Sequence, residues 1–552
     1  MHRFFKILKS VLLLLLVLVM FTVTWFAYLY YAADMKQPRD KNLPDKLRLV
    51  DNGLYRQYGD NYLRKSESGL WELKIKGSAF ERGVAAGKLM DSLLYYQEKV
   101  FVDQIRKMIP SENYLKFLRF FIVMFNRNLG KNVTEEYRDE IYGISLSCTD
   151  EYDFIGNPYE RQLNYHAAHD IGHTMQDYML VGCSSFATWD KHSADSSLII
   201  GRNFDFYMGD DFARNKLVMF CEPAEGYKFA SVGWPGMVGV LSGMNEEGLT
   251  VTINAAKSSI PTSAATPISL LVREILQYAS TIDEAYAIVQ KRQTFVSESI
   301  LIGSAKDGRA AVIEKSPGRI GLFADFGGQI ICTNHFQSDE FKEDKRNIEN
   351  IQTTDSYYRY QRLEELLAEQ EPVDEYKAVS MLRNNKGLSD SEVGLSNEMA
   401  INQFIAHHTV IFKPEQLIMW VSTNPWQSGK FVAYDLNKIF NAKPNFLDEL
   451  YAKELTIPAD SVFLTGDYNK LLKYRNTTSY IKQQMKVNKK VSTMVIEEYL
   501  ASNPDYYHLY EILGNYYQYA GELAKAKQYY QQALTKAIPK VAEKERILKK
   551  LE

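Results

Sequence analysis

The sequence predicts an α+β protein with an N-terminal transmembrane helix and an all-α C-terminal region. Three observations support this prediction: an apolar run near the start, β-prone runs separated by Gly, Pro and Asn turns in the middle, and Tyr- and Lys-rich helical periodicity at the end. With 552 residues, the chain is long enough for roughly three or four domains. We divide it into five segments, namely residues 1–33, 34–52, 53–182, 183–455 and 456–552.

The first segment has the composition of a membrane anchor. Basic residues precede an apolar run over residues 11–33, which is long enough to cross a bilayer core of about 30 Å. The basic end predicts a cytoplasmic N-terminus. We therefore expect a single-pass membrane protein with an extracytoplasmic catalytic domain; the alternative is a signal peptide that is cleaved near residues 32–33. Residues 34–52, which are rich in charges and contain Pro, are expected to form a linker.

Composition excludes one class of partner. The net charge is −3 and the Lys and Arg residues are spread along the chain, so no nucleic-acid footprint is expected. Hydrophobic residues make up 46% of the chain, which is ample material for a core. The four cysteines have neither metal-binding spacing nor the density of a disulfide framework, so we expect no cofactor and no metal.

Residues 53–182 are predicted to be mainly helical after one opening strand at residues 71–75. Near the end of this segment, His166, His169 and His173 are spaced by three and four residues, which would align three imidazoles on one helix face. Neutral imidazole is a common zinc ligand, so a zinc hydrolase is one alternative hypothesis. Since no H-E-x-x-H pattern accompanies the histidines, we favour packing and hydrogen-bonding roles for them.

A Gly-Cys step follows directly after the helical segment. Cys183 precedes Arg202 and Asp205 by 19 and 22 residues, the span of a strand, a turn and a second strand returning alongside. A cysteine is a weak nucleophile until a base or a cation draws off its proton, so this arrangement predicts a nucleophilic thiol. Gly182 lacks a Cβ, so the Cys183 thiol can approach the Gly182 carbonyl closely. A buried cysteine beside a surface ion pair is the alternative interpretation.

Short β-prone runs dominate the chain downstream of this step. A hairpin over residues 243–258 has a Glu-Gly turn and ends by presenting Asn254. Two amphipathic helices are predicted over residues 267–292, and β alternation then returns until Thr-Asn-His-Phe places Asn334 at the end of a strand. The predicted strands cover residues 198–206, 217–222, 228–234, 238–244, 249–254, 299–303, 310–315, 319–323 and 329–333.

Four motifs occur in an order that is much more specific than any one of them alone. They are G-C at residues 182–183, R-N-x-D at 202–205, N-E-x-G-L-x-x-x-x-N at 245–254 and T-N-H-F at 333–336. In this order they resemble the penicillin acyltransferase-like family, a branch of the N-terminal-nucleophile (Ntn) hydrolases related to choloylglycine hydrolases, over residues 53–436. The resemblance implies a four-layer αββα sandwich, with two sheets packed face to face and helices outside.

The resemblance also implies that the precursor cuts itself immediately before its nucleophile. Cys183 would attack the Gly182 carbonyl, and hydrolysis of the resulting thioester would free Cys183 as a new N-terminus. An α-amino group with a pKa of about 7.7–8.0 can then accept the thiol proton, so that nucleophile and base belong to one residue.

The family's functional residues match positions of this sequence. By the resemblance, Arg202 would hold or polarise the thiolate region, and Asp205 would orient the α-amino group. Asn254 would stabilise the oxyanion. Asn334 would share that role or would orient the nucleophile.

These features predict a self-processing cysteine amidohydrolase or acyltransferase. Its expected partner is a small-molecule substrate with a linear amide bond, an N-acylated amine or amino acid. Arg359, in an S-x-x-R helix start, would supply the distal arginine of choloylglycine-type sites, with Arg362 close enough to be the alternative. Water as the acceptor gives hydrolysis and an amine gives acyl transfer; the sequence leaves both open.

The last segment has the spacing of one tetratricopeptide repeat (TPR). A single helix pair cannot bury its own face, so residues 477–503 are expected to supply neighbouring helices. The tail would dock a protein partner or brace the hydrolase domain. A non-catalytic, membrane-anchored scaffold that recruits a partner through this tail is the second alternative hypothesis for the whole chain. The repeat positions are Tyr510, Leu513, Gly514, Tyr517, Gly521, Ala526, Tyr530 and Ala533, with Pro539 near the end.

Overall fold

The computed structural model describes residues 2–38, 47–109, 111–174, 180–258, 265–325, 327–441 and 448–552. The side chains of residues 2, 3, 108, 168–174, 180 and 181 lie outside this description, as do residues 39–46 of the predicted linker. Within the described residues the chain mixes helices and strands and ends in a helical region, so the predicted α+β class is confirmed.

The described strands end at residue 457, and the residues after them are helical. In chain order the described strands are β1 (Leu49–Asp51), β2 (Tyr55–Tyr58), β3 (Asn61–Lys65), β4 (Trp71–Gly77), β5 (Leu180–Val181), β6 (Ser184–Thr188), β7 (Ile199–Tyr207), β8 (Leu217–Pro223), β9 (Phe229–Gly233), β10 (Ser242–Asn245), β11 (Leu249–Ala255), β12 (Glu298–Ser304), β13 (Arg309–Lys315), β14 (Ile320–Phe323), β15 (Gln329–Cys332), β16 (Ala406–Lys413), β17 (Ile418–Ser422), β18 (Phe431–Asp435) and β19 (Tyr451–Ile457).

The helices lie before, between and after these strands. In chain order the described α-helices are α1 (His2–Tyr31), α2 (Ala79–Leu89), α3 (Asp91–Met108), α4 (Glu112–Phe125), α5 (Leu129–Asn132), α6 (Glu135–Ser145), α7 (Pro158–Thr174), α8 (Ile268–Tyr278), α9 (Ile282–Lys291), α10 (Lys345–Thr353), α11 (Ser356–Gln370), α12 (Glu375–Leu382), α13 (Leu436–Asn441), α14 (Ser461–Thr465), α15 (Asp467–Lys486), α16 (Thr493–Ser502), α17 (Tyr507–Tyr519), α18 (Leu523–Leu534) and α19 (Val541–Lys549).

Helix α1 is the candidate membrane segment. Its stretch from Phe4 to Tyr31 is long and apolar enough to cross a bilayer, and none of its most apolar window is buried inside the protein. A signal sequence has the same properties. The structure therefore supports the predicted apolar N-terminal helix without deciding between the two.

The described strands form two sheets. The first has the order β1-β2-β3-β4-β8-β9-β10-β11-β12-β13-β14, and the second has the order β15-β6-β7-β16-β17-β18-β19, with β5 paired to β7. Pairing is antiparallel except between β4 and β8. Strand β6, which follows the Gly-Cys step, and its neighbour β7 lie inside the second sheet and are each paired on both sides.

Alternating side chains place the two sheets face to face. On β8, Leu217 and Met219 pack against helices such as α2, α6 and α8, whereas Val218 and Phe220 enter a core shared with the second sheet. The outer face of the second sheet is covered by α11 and α12, which bury Phe186 and Ile199 against their own leucines. The layers therefore run helix, sheet, sheet, helix, which is the order that the resemblance implies.

The segment before the nucleophile has more strands than the sequence indicated. The prediction of one opening strand was wrong, because β1, β2 and β3 precede the expected strand β4. The turn between β2 and β3 is the tight Gly59-Asp60 step, with Gly59 at φ 63°. A two-residue Gly-containing turn between Tyr-rich runs is a hairpin signal, and this signal was present in the sequence.

The C-terminal helices pack on the catalytic region as well as on one another. The core of α14–α19 includes Phe404 and Trp426 from the sheet-bearing part of the chain. Arg475 of α15 donates a 2.7 Å hydrogen bond from Nη2 to the main-chain oxygen of Phe404 and stacks over Trp426. The predicted helical tail is present, and this packing favours the brace interpretation over an independent docking module.

Candidate active site

Cys183 lies at the start of β6, where that strand runs antiparallel to β7. The register pairs Ser184 with Asn203, so the cysteine sits beside the strand that carries Arg202 and Asp205. Its Sγ is 3.8 Å from the Arg202 Nη2 and 4.0 Å from the main-chain oxygen of Asp205. The strand-turn-strand arrangement predicted from spacing thus brings the three residues together.

Arg202 is a buried cation behind the thiol. It donates from Nη1 to the Ser242 Oγ at 2.7 Å and from Nη2 to the main-chain oxygen of Ile253. Burial raises the pKa of the Cys183 thiol to about 11, and the Arg202 cation opposes this shift. The thiol is therefore protonated at neutral pH, and it needs a base before it can react.

Asp205 supplies a buried carboxyl group to the same site. Neither of its carboxyl oxygens has a hydrogen-bond partner among the described residues. Burial raises the pKa of this carboxyl to about 7, although Arg359 and Arg202 act in the opposite direction. Since an unsatisfied buried carboxyl is costly, the group is well suited to accept hydrogen bonds from a donor formed later in the site, such as an α-ammonium group.

The peptide bond before Cys183 is held by a residue that the sequence did not reveal. Gln403 donates from Nε2 to the Gly182 carbonyl oxygen at 2.9 Å, and the Gly182 N–H donates to the Asp205 main-chain oxygen at 3.2 Å. A Cβ added to Gly182 would lie 2.4 Å from the Gln403 Nε2. A larger residue at position 182 would displace the Gln403 amide, so glycine preserves this contact.

The two asparagines that are predicted to stabilise the oxyanion link the end of one sheet to the other. Asn254 donates from Nδ2 to the Cys332 main-chain oxygen at 2.8 Å, and Asn334 donates from Nδ2 to the Ala255 main-chain oxygen at 2.9 Å. Each side-chain amide carries two N–H groups, and these contacts use one of them. Both residues thus keep the donor capacity that an oxyanion would need.

The structure distinguishes the two arginines that the sequence left open. Arg359 donates from Nη1 to the Cys183 main-chain oxygen at 2.7 Å and from Nη2 to the Asn334 Oδ1 at 2.8 Å. Asp355 holds its guanidinium from the other side. Arg362 instead pairs with Glu365 and other residues away from the thiol. Of the two, Arg359 is the one at the site.

A directed hydrogen-bond chain extends from Arg202 into the protein. Arg202 can only donate, and its Nη1 lies 2.7 Å from the Ser242 Oγ and 3.4 Å from the His408 Nε2, so both atoms accept from it. The Ser242 hydroxyl then donates to the same Nε2 at 2.9 Å. His408 must then carry its proton on Nδ1, which contacts the His407 Nδ1 at 3.0 Å. Burial lowers the pKa of both imidazoles far below neutrality. The chain therefore holds Arg202 with neutral partners and leaves its charge to act on the thiol.

The histidine cluster considered as a zinc site has ordinary packing contacts where it is described. The His166 Nδ1 lies 2.7 Å from the Gln162 main-chain oxygen, and its Nε2 accepts the Val238 N–H at 2.9 Å. Both ring nitrogens are thus engaged with the backbone. The side chains of His169 and His173 lie outside the described residues, and within the described part of the chain no group of three potential metal ligands occurs.

Comparisons with known proteins support the resemblance. Residues 192–424 match the family model described as acyl-coenzyme A:6-aminopenicillanic acid acyl-transferase. An uncharacterized protein of Archaeoglobus fulgidus is 26% identical over 272 residues, 46% of this chain and 45% of that protein. The N-acylethanolamine-hydrolyzing acid amidase of Caenorhabditis elegans is 23% identical over 234 residues, 39% of this chain and 59% of that protein.

A solved structure gives a more distant likeness. Conjugated bile acid hydrolase from Clostridium perfringens, solved as a mutant, is 14% identical, with a TM-score of 0.31, over 49% of this chain and 95% of that one. The chain spans about half the length of the curated relatives that it matches. The predicted resemblance to the penicillin acyltransferase-like family is confirmed, and the matched region contains Arg202, Asp205, Asn254, Asn334 and Arg359.

Proposed function

We propose, from the family match and the geometry around Cys183, that this chain is an Ntn-type cysteine amidohydrolase or acyltransferase that cleaves its own Gly182–Cys183 bond. One observation carries the self-cleavage. The Gly182 carbonyl accepts a hydrogen bond from a buried side-chain amide, Gln403, that leaves no room for a Cβ at residue 182. A donor already in place at the scissile oxygen is what a tetrahedral intermediate requires.

In the proposed processing step, the Cys183 Sγ attacks the Gly182 carbonyl carbon. The C–S bond forms, the C–N bond breaks, and the thiol proton ends on the released amine. Water then hydrolyses the thioester, which frees the Gly182 carboxylate and the thiol. The Gln403 N–H stabilises the oxygen while it carries negative charge, and the Asp205 carboxylate accepts from the new α-ammonium group.

In the proposed turnover step, the same thiol attacks the carbonyl of a substrate amide. The Cys183 α-amino group, with a pKa of about 7.7–8.0, takes the thiol proton and passes it to the leaving amine. Asn254 and Asn334 donate to the substrate oxyanion, while Arg202 and Arg359 hold the thiol and the Cys183 carbonyl. The acyl-enzyme then reacts with water or with a second amine.

For the substrate, we propose a linear amide of an N-acylated amine or amino acid. The C. elegans relative is named for hydrolysis of N-acylethanolamines, which are amides of this kind. We place the catalytic domain outside the cytoplasm, anchored by α1, because the basic end of that helix precedes its apolar run. We assign the tail to bracing the catalytic domain rather than to binding a separate protein.

Self-cleavage is tested on purified wild-type protein. We expect mass spectrometry and N-terminal sequencing to find a fragment that begins at Cys183, because release of the α-amino group supplies the catalytic base. The protein is then incubated with a panel of N-acyl amides, and the masses of the products show whether the acyl group passes to water or to an amine. A wild-type protein that turns over amides while remaining uncut would contradict the free-amine mechanism.

Replacing Gln403 by leucine is expected to slow self-cleavage by about 100-fold, the cost typical of losing one oxyanion donor. The rate is measured as appearance of the Cys183 fragment after the denatured precursor is refolded. Gln427→Leu is the matched control, since Gln427 is also buried but contacts the Leu382 carbonyl instead. Cleavage of Gln403→Leu at the wild-type rate would show that the contact with Gly182 is only structural.

A further inference from the structure

Helix α4 presents a row of aromatic side chains to solvent. Tyr114, Phe117 and Phe121 recur at spacings of three and four, which places them on one face of the helix. Their exposed fractions are 50%, 55% and 49%, and neighbouring Ile122 is 40% exposed. The three rings contact each other in sequence. A contiguous exposed apolar row of this kind marks an interaction surface.

The row is continuous with the candidate membrane helix. Phe120 of α4 stacks on Tyr30 of α1 at 5.6 Å between ring centroids and contacts Phe26 at 6.2 Å. Just beyond the helix, the Asp34 N–H donates to the Arg127 main-chain oxygen at 2.8 Å. These contacts fix α4 at the level where the apolar run of α1 ends.

The C-terminal part of α1 has the composition of a membrane interface. Phe21, Trp25 and Tyr28 form a contacting aromatic series that is more than half exposed, and Trp and Tyr are enriched where lipid headgroups meet the hydrocarbon region. On α4 the cations are neutralised, since Lys116 pairs with Glu112 and Arg119 pairs with Glu160. The surface is therefore apolar rather than basic, and it fits the shallow acyl region of a bilayer more than an anionic partner.

We propose that α4 is a second membrane-contacting element, whose Tyr114, Phe117 and Phe121 face inserts into the leaflet beside the C-terminal end of α1. The inference does not depend on the hydrolase activity, but it rests on the proposed anchoring of the chain by α1. Its structural consequence follows from the links of α4 to α7, made by the Asn126 to Asn164 hydrogen bond at 2.7 Å and by the Arg119–Glu160 pair. Since α7 precedes the Gly182–Cys183 step, the catalytic domain rests against the bilayer instead of swinging freely on its linker.

The test uses the full-length protein in phosphatidylcholine vesicles. Phe117→Cys and Phe121→Cys are each made in a Cys148→Ser background, because Cys148 is the native cysteine that is not fully buried, and each is labelled with an environment-sensitive NBD fluorophore. Leu523→Cys, at a site on the tail with 60% exposure, is the matched control. The background protein without an added cysteine measures labelling of the native thiols.

We expect the emission of the labels at positions 117 and 121 to shift to shorter wavelength in the vesicles. When the vesicles contain lipids with a quencher high on the acyl chain, the same labels should lose most of their emission intensity. The label at 523 should do neither. Labels at 117 and 121 that are as unquenched as the control would overturn the proposal. A wavelength shift without lipid quenching would also overturn it, because it would mean that protein, such as a second copy of this chain, covers the row.

Discussion

Replacing Cys183 by alanine is expected to abolish both self-cleavage and amide turnover, because alanine offers no nucleophile next to the Gly182 carbonyl and beside Arg202 and Asp205. Removing a nucleophile of this kind reduces turnover by about 10⁶-fold. Intact mass and product formation are measured on the same preparation. Cys183→Ser should still cleave slowly, since a hydroxyl can attack but is much less readily ionised than a thiol.

The control for this prediction is Cys148→Ala. Cys148 lies in the segment before the Gly-Cys step, where its Sγ contacts the Ile144 carbonyl at 3.8 Å, so its loss should leave both cleavage and turnover intact. The measurement separates the proposed enzyme from the scaffold alternative, in which no single cysteine matters. Amide turnover that persists in Cys183→Ala would end the assignment of Cys183 as nucleophile.

Replacing Asn254 by alanine is expected to lower kcat by about 10²–10³-fold with little change in KM, because the amide donates to an oxyanion that exists only in the tetrahedral state. The extent of self-cleavage must be measured on the same sample as kcat, since an uncut precursor would also show a low kcat. Asn334→Ala should behave in the same way if Asn334 shares the oxyanion hole. It should instead impair cleavage if it only orients Arg359 and Cys183.

Asn254 also bridges the two sheets through the Cys332 carbonyl, so a structural loss has to be distinguished from a catalytic one. Asn245 provides the control: it is equally buried on the neighbouring strand β10, and its amide donates to the Leu276 and Ala279 carbonyls far from the thiol. If cleaved, folded Asn254→Ala keeps a near-normal kcat, Asn254 serves only to join the sheets.

The proposed nucleophile and the cation and carboxyl beside it were predictable because they lie close in sequence. Cys183, Arg202 and Asp205 belong to one hairpin, and hairpin geometry follows from strand length and turn position. The order of the four motifs likewise indicated Asn254 and Asn334. The αββα layers followed from the resemblance and not from the strand spacing alone.

The remaining site residues could not be found from local pattern. Gln403 meets Gly182 across more than two hundred residues of sequence, and its surroundings have no motif. Only the pairing of β16 with β7 places His408 behind Arg202. Helical spacing alone could not choose between Arg359 and Arg362, because the choice depends on which side of α11 faces the sheet. Tertiary packing decides each of these cases.

The anchoring of residues 403–404 by the tail has a consequence for the order of events during synthesis. Gln403 emerges long after the Gly182–Cys183 bond has been made, and the Arg475 contact that fixes the adjoining Phe404 carbonyl emerges later still. A nascent chain paused anywhere before residue 475 has the scissile bond but lacks the arrangement that polarises it. The proposed cut is therefore timed to follow synthesis of the chain at least as far as residue 475, so that only chains that have folded through this contact acquire a reactive N-terminal cysteine.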